Sequence, residues 1–404
     1  MGVLTLLSSR LSKPTVSCAL FVVCTMLTAP STVAQTHEHQ HPDLSSMKPL
    51  LIPPVRYNFR GDVKPESTLV RGLLEVEYAN QSPDRLNEIR FSCATPMIDP
   101  HHSARSPEPP YLKLDSVLSY GVPLSGDELR IDGRSMSVVM PRPLPPNERA
   151  FFIMTFETRL KSSDVHGVMF RDWYPRVSTY HNGRWYDGYD SILDQAVPEY
   201  ADYAVALQVD SAYSLVYPGE LINDKEHYGL LPPAHNDSVY IDIVNQHQQE
   251  YAGIKYKPVF ESGRKNFYIR SKNDIDFSFV AGKNLLRDRA FVDSLTIEAC
   301  YPPEIVETWA GFIASEATRV MRGLEEEFGP FPYRNLRIAA SSDAPTIVDS
   351  RQLIVLSSHV TDTTALRATL SMQISQRRQP PAPPDSSDSD RGRTVPSPRG
   401  EGDE

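Results

Sequence analysis

The sequence predicts a mostly β protein: a large N-terminal β-sandwich or saddle domain, an incomplete α/β segment after it, and a disordered C-terminal tail. Three observations carry this. Between residues 57 and 299, short runs rich in β-branched and apolar residues alternate with clusters of Asn, Asp, Pro and Gly, the pattern of strands and turns. From Ile305 onward the apolar period lengthens from two to between three and four, which marks a helix. After Gln376 the composition turns to Pro, Ser and Asp, with Val395 the single aliphatic residue beyond alanine. Residues 377–404 therefore cannot bury enough surface to fold.

Length and charge bound the function before any motif does. A chain of 404 residues can hold two or three domains. A formal charge of −10 leaves no basic footprint, which argues against a nucleic-acid partner. At the N-terminus Arg10 and Lys13 precede an apolar run over 16–27, and Thr32-Val33-Ala34 supplies small residues at a cleavage site. That order is a secretory signal peptide, 1–34, and the run is short for a membrane span, so a retained anchor is the weaker reading and no span is expected after cleavage. Export, to the periplasm or outside the cell, is expected. Cys18 and Cys24 leave with the signal. Cys93 and Cys300 remain, and whether they pair stays open, because an oxidising compartment permits a disulfide while buried free cysteines are common.

The strand-like runs lie at 69–78, 88–93, 136–140, 151–156, 203–209, 239–243, 265–269 and 294–299, giving a β-domain over 56–300. Ahead of it, 35–55 is a polar tether. Within it, 170–189 concentrates Trp173, Tyr174, Tyr180, Trp185, Tyr186 and Tyr189. Core and interface packing is the expected role of such a cluster, with a carbohydrate or peptide platform as the alternative. Pro302-Pro303 opens one helix whose stripe is Ile305, Trp309, Phe312, Ile313, Ala317, Val320, Met321, Leu324 and Phe328. Two strands, 336–340 and 352–356, and a helix over 364–378 complete an α/β segment, 301–376.

Four stretches resemble the front part of aminopeptidase N-like zinc metallopeptidases, in that family's order: Gly72-Leu73-Leu74-Glu75-Val76-Glu77-Tyr78-Ala79-Asn80, Asp172-Trp173-Tyr174-Pro175-Arg176, Asp276-Phe277-Ser278-Phe279 and Gly329-Pro330-Phe331-Pro332-Tyr333. The resemblance implies that 301–376 is the start of a thermolysin-like catalytic domain. It also implies a substrate-amine loop bearing a glutamate, a helix bearing His-Glu-x-x-His, a further zinc-binding Glu and a helical domain. The chain departs from each. The loop position reads Asp343-Ala344-Pro345-Thr346-Ile347-Val348-Asp349, and the helix reads Ser371-Met372-Gln373-Ile374-Ser375.

Catalytic zinc needs three strongly donating ligands and a base. Ser371 and Ser375 share a helix face four residues apart but are poor neutral ligands, and Met372 at the base position takes no proton. A literal His-Glu-x-x-His occurs at His37, Glu38 and His41, in a Pro-flanked polar stretch without an apolar helical face. There His37, His39 and His41 suit a tail that scavenges metal. Asp99, His101 and His102 form a further polar cluster.

No catalytic residue, resident zinc or other cofactor is expected. Two functions from different classes follow: an exported, truncated and inactive peptidase homologue with a peptide or protein ligand, or a zinc-dependent aminopeptidase whose catalytic half comes from elsewhere. The first expected outcome concerns the address: intact mass of the exported protein should place its N-terminus at Gln35, and a mass retaining 1–34 would overturn this.

Overall fold

A computed structural model describes residues 53–98, 108–161, 167–186, 199–223, 263–342 and 350–378, all within one compact unit, Leu50–Glu404. The fold is mostly β, as the alternating pattern requires. The strands run, in order, β1 (Val55–Lys64), β2 (Leu69–Ala79), β3 (Leu86–Ser92), β4 (Met97–Ile98), β5 (Tyr111–Ser119), β6 (Val122–Pro123), β7 (Leu129–Asp132), β8 (Ser135–Leu144), β9 (Arg149–Arg159), β10 (Val168–Phe170) and β11 (Arg176–Val177). They continue with β12 (Thr179–His181), β13 (Arg184–Tyr186), β14 (Ala201–Asp210), β15 (Tyr213–Val216), β16 (Glu220–Leu221), β17 (Arg264–Asp274), β18 (Phe279–Lys283), β19 (Leu286–Val292) and β20 (Leu295–Tyr301). Helices α1 (Val306–Trp309) and α2 (Phe312–Phe328), strands β21 (Asn335–Ser341) and β22 (Leu353–Ser357) and helix α3 (Thr363–Arg378) follow among the described residues. No helix among the described residues is long and apolar enough to cross a membrane.

A nine-stranded mixed sheet, ordered β16-β17-β14-β1-β2-β9-β5-β4 with β6 beside β5, forms one wall of the main core. Its inner face meets the four-stranded sheet β11-β3-β8-β7 and the three-stranded sheet β10-β18-β15. Strict alternation does the sorting: on β14, Tyr203, Val205, Leu207 and Val209 are buried while Asp202, Ala204 and Ala206 face out. Gly61 and Gly72 pair directly across β1 and β2, and the ring of Phe59 lies over both. A Cβ at either glycine would meet that ring and the facing backbone, so this pair admits no side chain. Asn80, fully buried at the end of β2, donates to the carbonyls of Asp84 (2.8 Å) and Leu144 (3.0 Å) and so closes the following turn.

The segment 170–177 threads the middle of this core. Trp173, 1% exposed, donates its indole N–H to the Phe277 carbonyl (2.8 Å) and packs edge-on to Phe59 (4.5 Å). The Tyr174 hydroxyl donates to Asp276 (2.9 Å) and Arg176 to Asp172 (2.9 Å). Core packing is therefore the role of Trp173 and Tyr174, the two buried members of the aromatic cluster among the described residues. Tyr180 and Trp185 are half-buried on the β12–β13 hairpin, their rings 5.1 Å apart. Cys93 and Cys300 are both free and buried, in different apolar clusters.

A second, four-stranded sheet, β19-β20-β21-β22, has its last three strands parallel. Helices α2 and α3 cover one face, with Trp309, Ile313, Ala317, Met321, Leu366, Leu370 and Ile374 buried there. Met169, Val216 and Val280, from the strands of the three-stranded sheet, cover the other face at Cys300, Ala339, Leu353 and Val355. The change of period near Tyr301 thus falls inside this second sheet, since β19 and β20 belong to it.

The single helix expected from 305 is interrupted. Gly311 sits at φ +69°, a left-handed conformation that separates α1 from α2. Its N–H donates to Asp288 (2.7 Å), and the Tyr301 hydroxyl donates to the same oxygen (2.8 Å). Phe328, expected in the buried stripe, is 53% exposed because it is the last residue of α2 and lies beyond the sheet contact.

Glu298 on β20 binds this sheet together, with Arg289 (3.1 Å), Arg337 (3.1 Å) and Arg287 (3.6 Å) around it. Burial pushes its carboxyl up, but the charges of Arg337, Arg287 and Arg289 outweigh burial and leave it below the ordinary carboxylate range. A depressed folded value stabilises above the unfolded value of about 4.3 and ceases to do so as the pH falls through the folded one. Glu298→Gln should therefore cost about 2 kcal/mol at pH 7 and much less near pH 3, as measured by urea unfolding at both pH values.

Candidate functional site

Helix α3 carries the positions that sequence reasoning singles out. Asp362 starts it by accepting the Thr364 N–H (2.9 Å), an N-terminal cap. Leu366, Leu370 and Ile374, four residues apart, seat one face against the second sheet. Ser371 and Ser375 lie together on a half-buried flank, as their spacing requires, and Met372 is 42% exposed. The Ser375 hydroxyl donates to the Ser371 carbonyl one turn back (2.8 Å), so its proton is committed to the helix itself.

The flank next to the apolar face is buried and polar. Arg377 donates to the Gln373 carbonyl (2.6 Å) and to the Leu353 carbonyl (2.6 Å), pinning the end of α3 to the start of β22. Arg351 donates to the Arg377 carbonyl and stacks over the Tyr200 ring (5.3 Å).

Beneath Arg351, at the end of β17, lies Asp274, fully buried. It accepts the backbone N–H groups of Arg351 (2.7 Å) and Ile275 (2.8 Å), the hydroxyls of Ser350 (3.0 Å) and Ser271 (3.2 Å), and the Gln352 amide (3.2 Å). Burial outweighs these donors and holds its carboxyl above the ordinary range. Sealed from solvent, Asp274 cannot reach a substrate. It locks the second sheet and α3 onto the nine-stranded sheet. Tyr333, from the Gly329–Tyr333 stretch, reinforces the joint by donating its hydroxyl to the Asn273 carbonyl (2.6 Å).

Sequence reasoning did not single out Asp274 or Arg351, and it set Arg377 at the start of the unfolded tail, whereas Arg377 is buried near the end of α3. The available signal was weak: charged residues immediately flanking apolar strand or helix runs, a position that is usually solvated. Asp343–Asp349, Asp99, His101 and His102, and the His37, His39 and His41 tail all lie outside the described residues. His359 is exposed just beyond β22. Among the described residues, no group of three or more His, Cys, Asp or Glu side chains could hold a metal ion.

No family model matches the sequence, and no curated protein matches it. Among solved structures, the chain is similar to an M1 zinc metallopeptidase from Deinococcus radiodurans, at 13% identity and a TM-score of 0.46. A mutant of that enzyme from the same organism gives 12% identity and a TM-score of 0.47. A two-domain M1 zinc metallopeptidase mutant bound to L-arginine gives 13% and 0.47. Each match covers 79% of this chain and 64% of the other, so the chain spans less than two thirds of the length of these structures.

The joint at Asp274 has a measurable weight. Asp274→Ala leaves buried donors without an acceptor and should cost about 3 kcal/mol in urea unfolding, whereas Ser350→Ala, which removes one donor, should cost about 1 kcal/mol.

Proposed function

We propose that this protein is an exported, non-catalytic relative of aminopeptidase N-like zinc metallopeptidases that acts by binding a peptide or protein ligand. The observation that carries the loss of catalysis is the donor set on α3. Zinc in proteins takes thiolate, imidazole or carboxylate ligands, and a peptidase also needs a base to take a proton from the attacking water. Ser371 and Ser375 present neutral hydroxyls, one already bonded to helix backbone, and Met372 presents a thioether with no proton affinity. These residues do not fit a catalytic zinc.

Three of the four family-like stretches support the ancestry by what they do. Asp172–Arg176 and Asp276–Phe279 bond to each other through Trp173 and Tyr174, and Tyr333 caps the strand that leads into Asp276. They are the scaffold such a family shares, kept here without its chemistry.

Zinc content and aminoacyl-anilide hydrolysis of the full exported chain test this reading. Hydrolysis should stay at background, because Ser371, Met372 and Ser375 supply neither a strong zinc ligand nor a base. Stoichiometric zinc lost on Ser371→Ala and Ser375→Ala would overturn it. Zinc lost instead on replacing His37, His39 and His41 would locate scavenging in the tail.

A further inference from the structure

At one end of the main core, a group of aromatic side chains meets a carboxylate that has no partner. Register assembles the floor. On the inner face, Val55 of β1 lies between Tyr78 of β2 and Ala201 of β14. The next inward pair along, Tyr57 and Tyr203, stacks its rings 5.2 Å apart. The β12–β13 hairpin supplies a wall: Tyr180 and Trp185 pair directly, and the Trp185 ring lies 5.1 Å from Tyr180 and 6.0 Å from Tyr78. Glu199, half-buried, arrives two residues before Ala201, where the chain enters β14.

The charges around this cluster leave Glu199 uncompensated. Arg176, the cation beside Tyr57, is bound to Asp172 (2.9 Å) and Asp276 (3.7 Å). Arg56 and Glu77 pair with each other (3.7 Å) on the opposite face of the nine-stranded sheet. His181, Arg184 and Tyr186 take the other face of the hairpin, where Arg184 stacks on Tyr186 (4.4 Å). The Tyr180 hydroxyl donates to a further acid, Asp84 (3.0 Å). Glu199 has no hydrogen-bond or ion-pair partner among the described residues, and burial alone pushes its carboxyl up to about 7. Burial also holds the Tyr57 and Tyr78 phenols above their ordinary value, and the Glu199 charge adds to this at each, so the carboxyl lies within electrostatic reach of both. The Tyr57 hydroxyl accepts the Val177 N–H (2.8 Å), whereas the Tyr78 hydroxyl has no hydrogen-bond partner among the described residues.

We propose that this cluster binds a protonated primary amine, its ammonium on Glu199 and the Tyr78 hydroxyl and its methylene stem against Trp185 and Tyr180. A carboxylate withdrawn from water without a cation is costly, and a bound ammonium would offset that cost. Tyrosine and tryptophan rings attract the same charge through their π faces. A carboxylate and a free hydroxyl both accept hydrogen bonds, which favours an ammonium with N–H donors over a quaternary one. A sugar would need an open ring to stack on, but Trp185 is flanked by Tyr78 on one side and Tyr180 on another. Hard metal cations take six or more oxygens, and one carboxylate is too few. Lysine side chains and free alkylamines share the chemistry that fits. The site shares no residue with α3 and stands whether or not the peptidase ancestry holds.

The test titrates the full exported chain calorimetrically with n-butylammonium, the head of a lysine side chain, and with n-butanol, its neutral isostere. Butylammonium should saturate with a Kd below about 5 mM and bind at least about tenfold tighter than butanol. Lowering the pH from about 8 to about 5.5 should weaken it by about tenfold or more, as Glu199 takes up a proton. Glu199→Gln should abolish the preference over butanol. Its unfolding midpoint should rise above about pH 7 and stay unchanged near pH 4, because a carboxyl raised on folding costs stability only above its unfolded value of about 4.3. Tyr78→Phe should weaken butylammonium but not tetramethylammonium. Nα-acetyl-lysine methylamide binding at least about tenfold tighter than butylammonium assigns the site to lysine side chains, equal or weaker binding assigns it to free amines, and both uphold it. Equal affinity for butylammonium and butanol, no saturation up to about 20 mM, tighter binding of tetramethylammonium or glucose, or unaltered binding by Glu199→Gln would each overturn the proposal.

Discussion

The path of residues 170–177 through the main core is the constraint on which the rest of the molecule depends. An irregular segment crossing a hydrophobic interior must find a partner for every peptide group and polar side chain, or it would cost several kcal/mol at each. Here the partners come from three directions. The Thr158 hydroxyl on β9 donates to the Trp173 carbonyl (2.8 Å), the Tyr57 hydroxyl on β1 accepts the Val177 N–H (2.8 Å), and the Cys93 thiol after β3 donates to the Asp172 carbonyl (3.0 Å). The segment thereby fixes the distance between the nine-stranded sheet and the smaller sheets. Asp276 and Phe277, held by the same segment, lead back to Asp274 and the joint with the second sheet.

Much of this architecture was legible because it obeys a period. The runs read at 69–78, 136–140, 151–156, 203–209 and 265–269 fall on β2, β8, β9, β14 and β17, and α3 covers the helix read over 364–378. Legibility failed where a single tertiary contact overrode a local pattern. Nothing in the apolar stripe around Trp309 announces a break at Gly311, because the break is held by Asp288, a residue on a different strand. Asp274 was hidden for the same reason: its partners Ser350, Arg351 and Gln352 are distant in sequence and meaningful only once β22 lies beside the end of β17.

The α3 positions and the outer face of the nine-stranded sheet show the same contrast. The α3 positions could be found because their spacing is intrahelical, and their side chains could be judged chemically without a fold. The outer face could not, since Arg56, Glu75, Phe151, Ala204 and Arg270 come together only through register across five strands. Each of those residues reads alone as an ordinary outward side chain on a half-buried strand.

Burial pushes both thiols, Cys93 and Cys300, up to about 12. In the native protein Cys93 and Cys300 accordingly stay protonated and closed to electrophiles. Each acts as a sealed clock. Cys93 starts only when the main core parts, and Cys300 only when the second sheet lifts from the strands beneath it. The order in which an alkylating reagent reaches them would record which half of the molecule breathes first, without any engineered label.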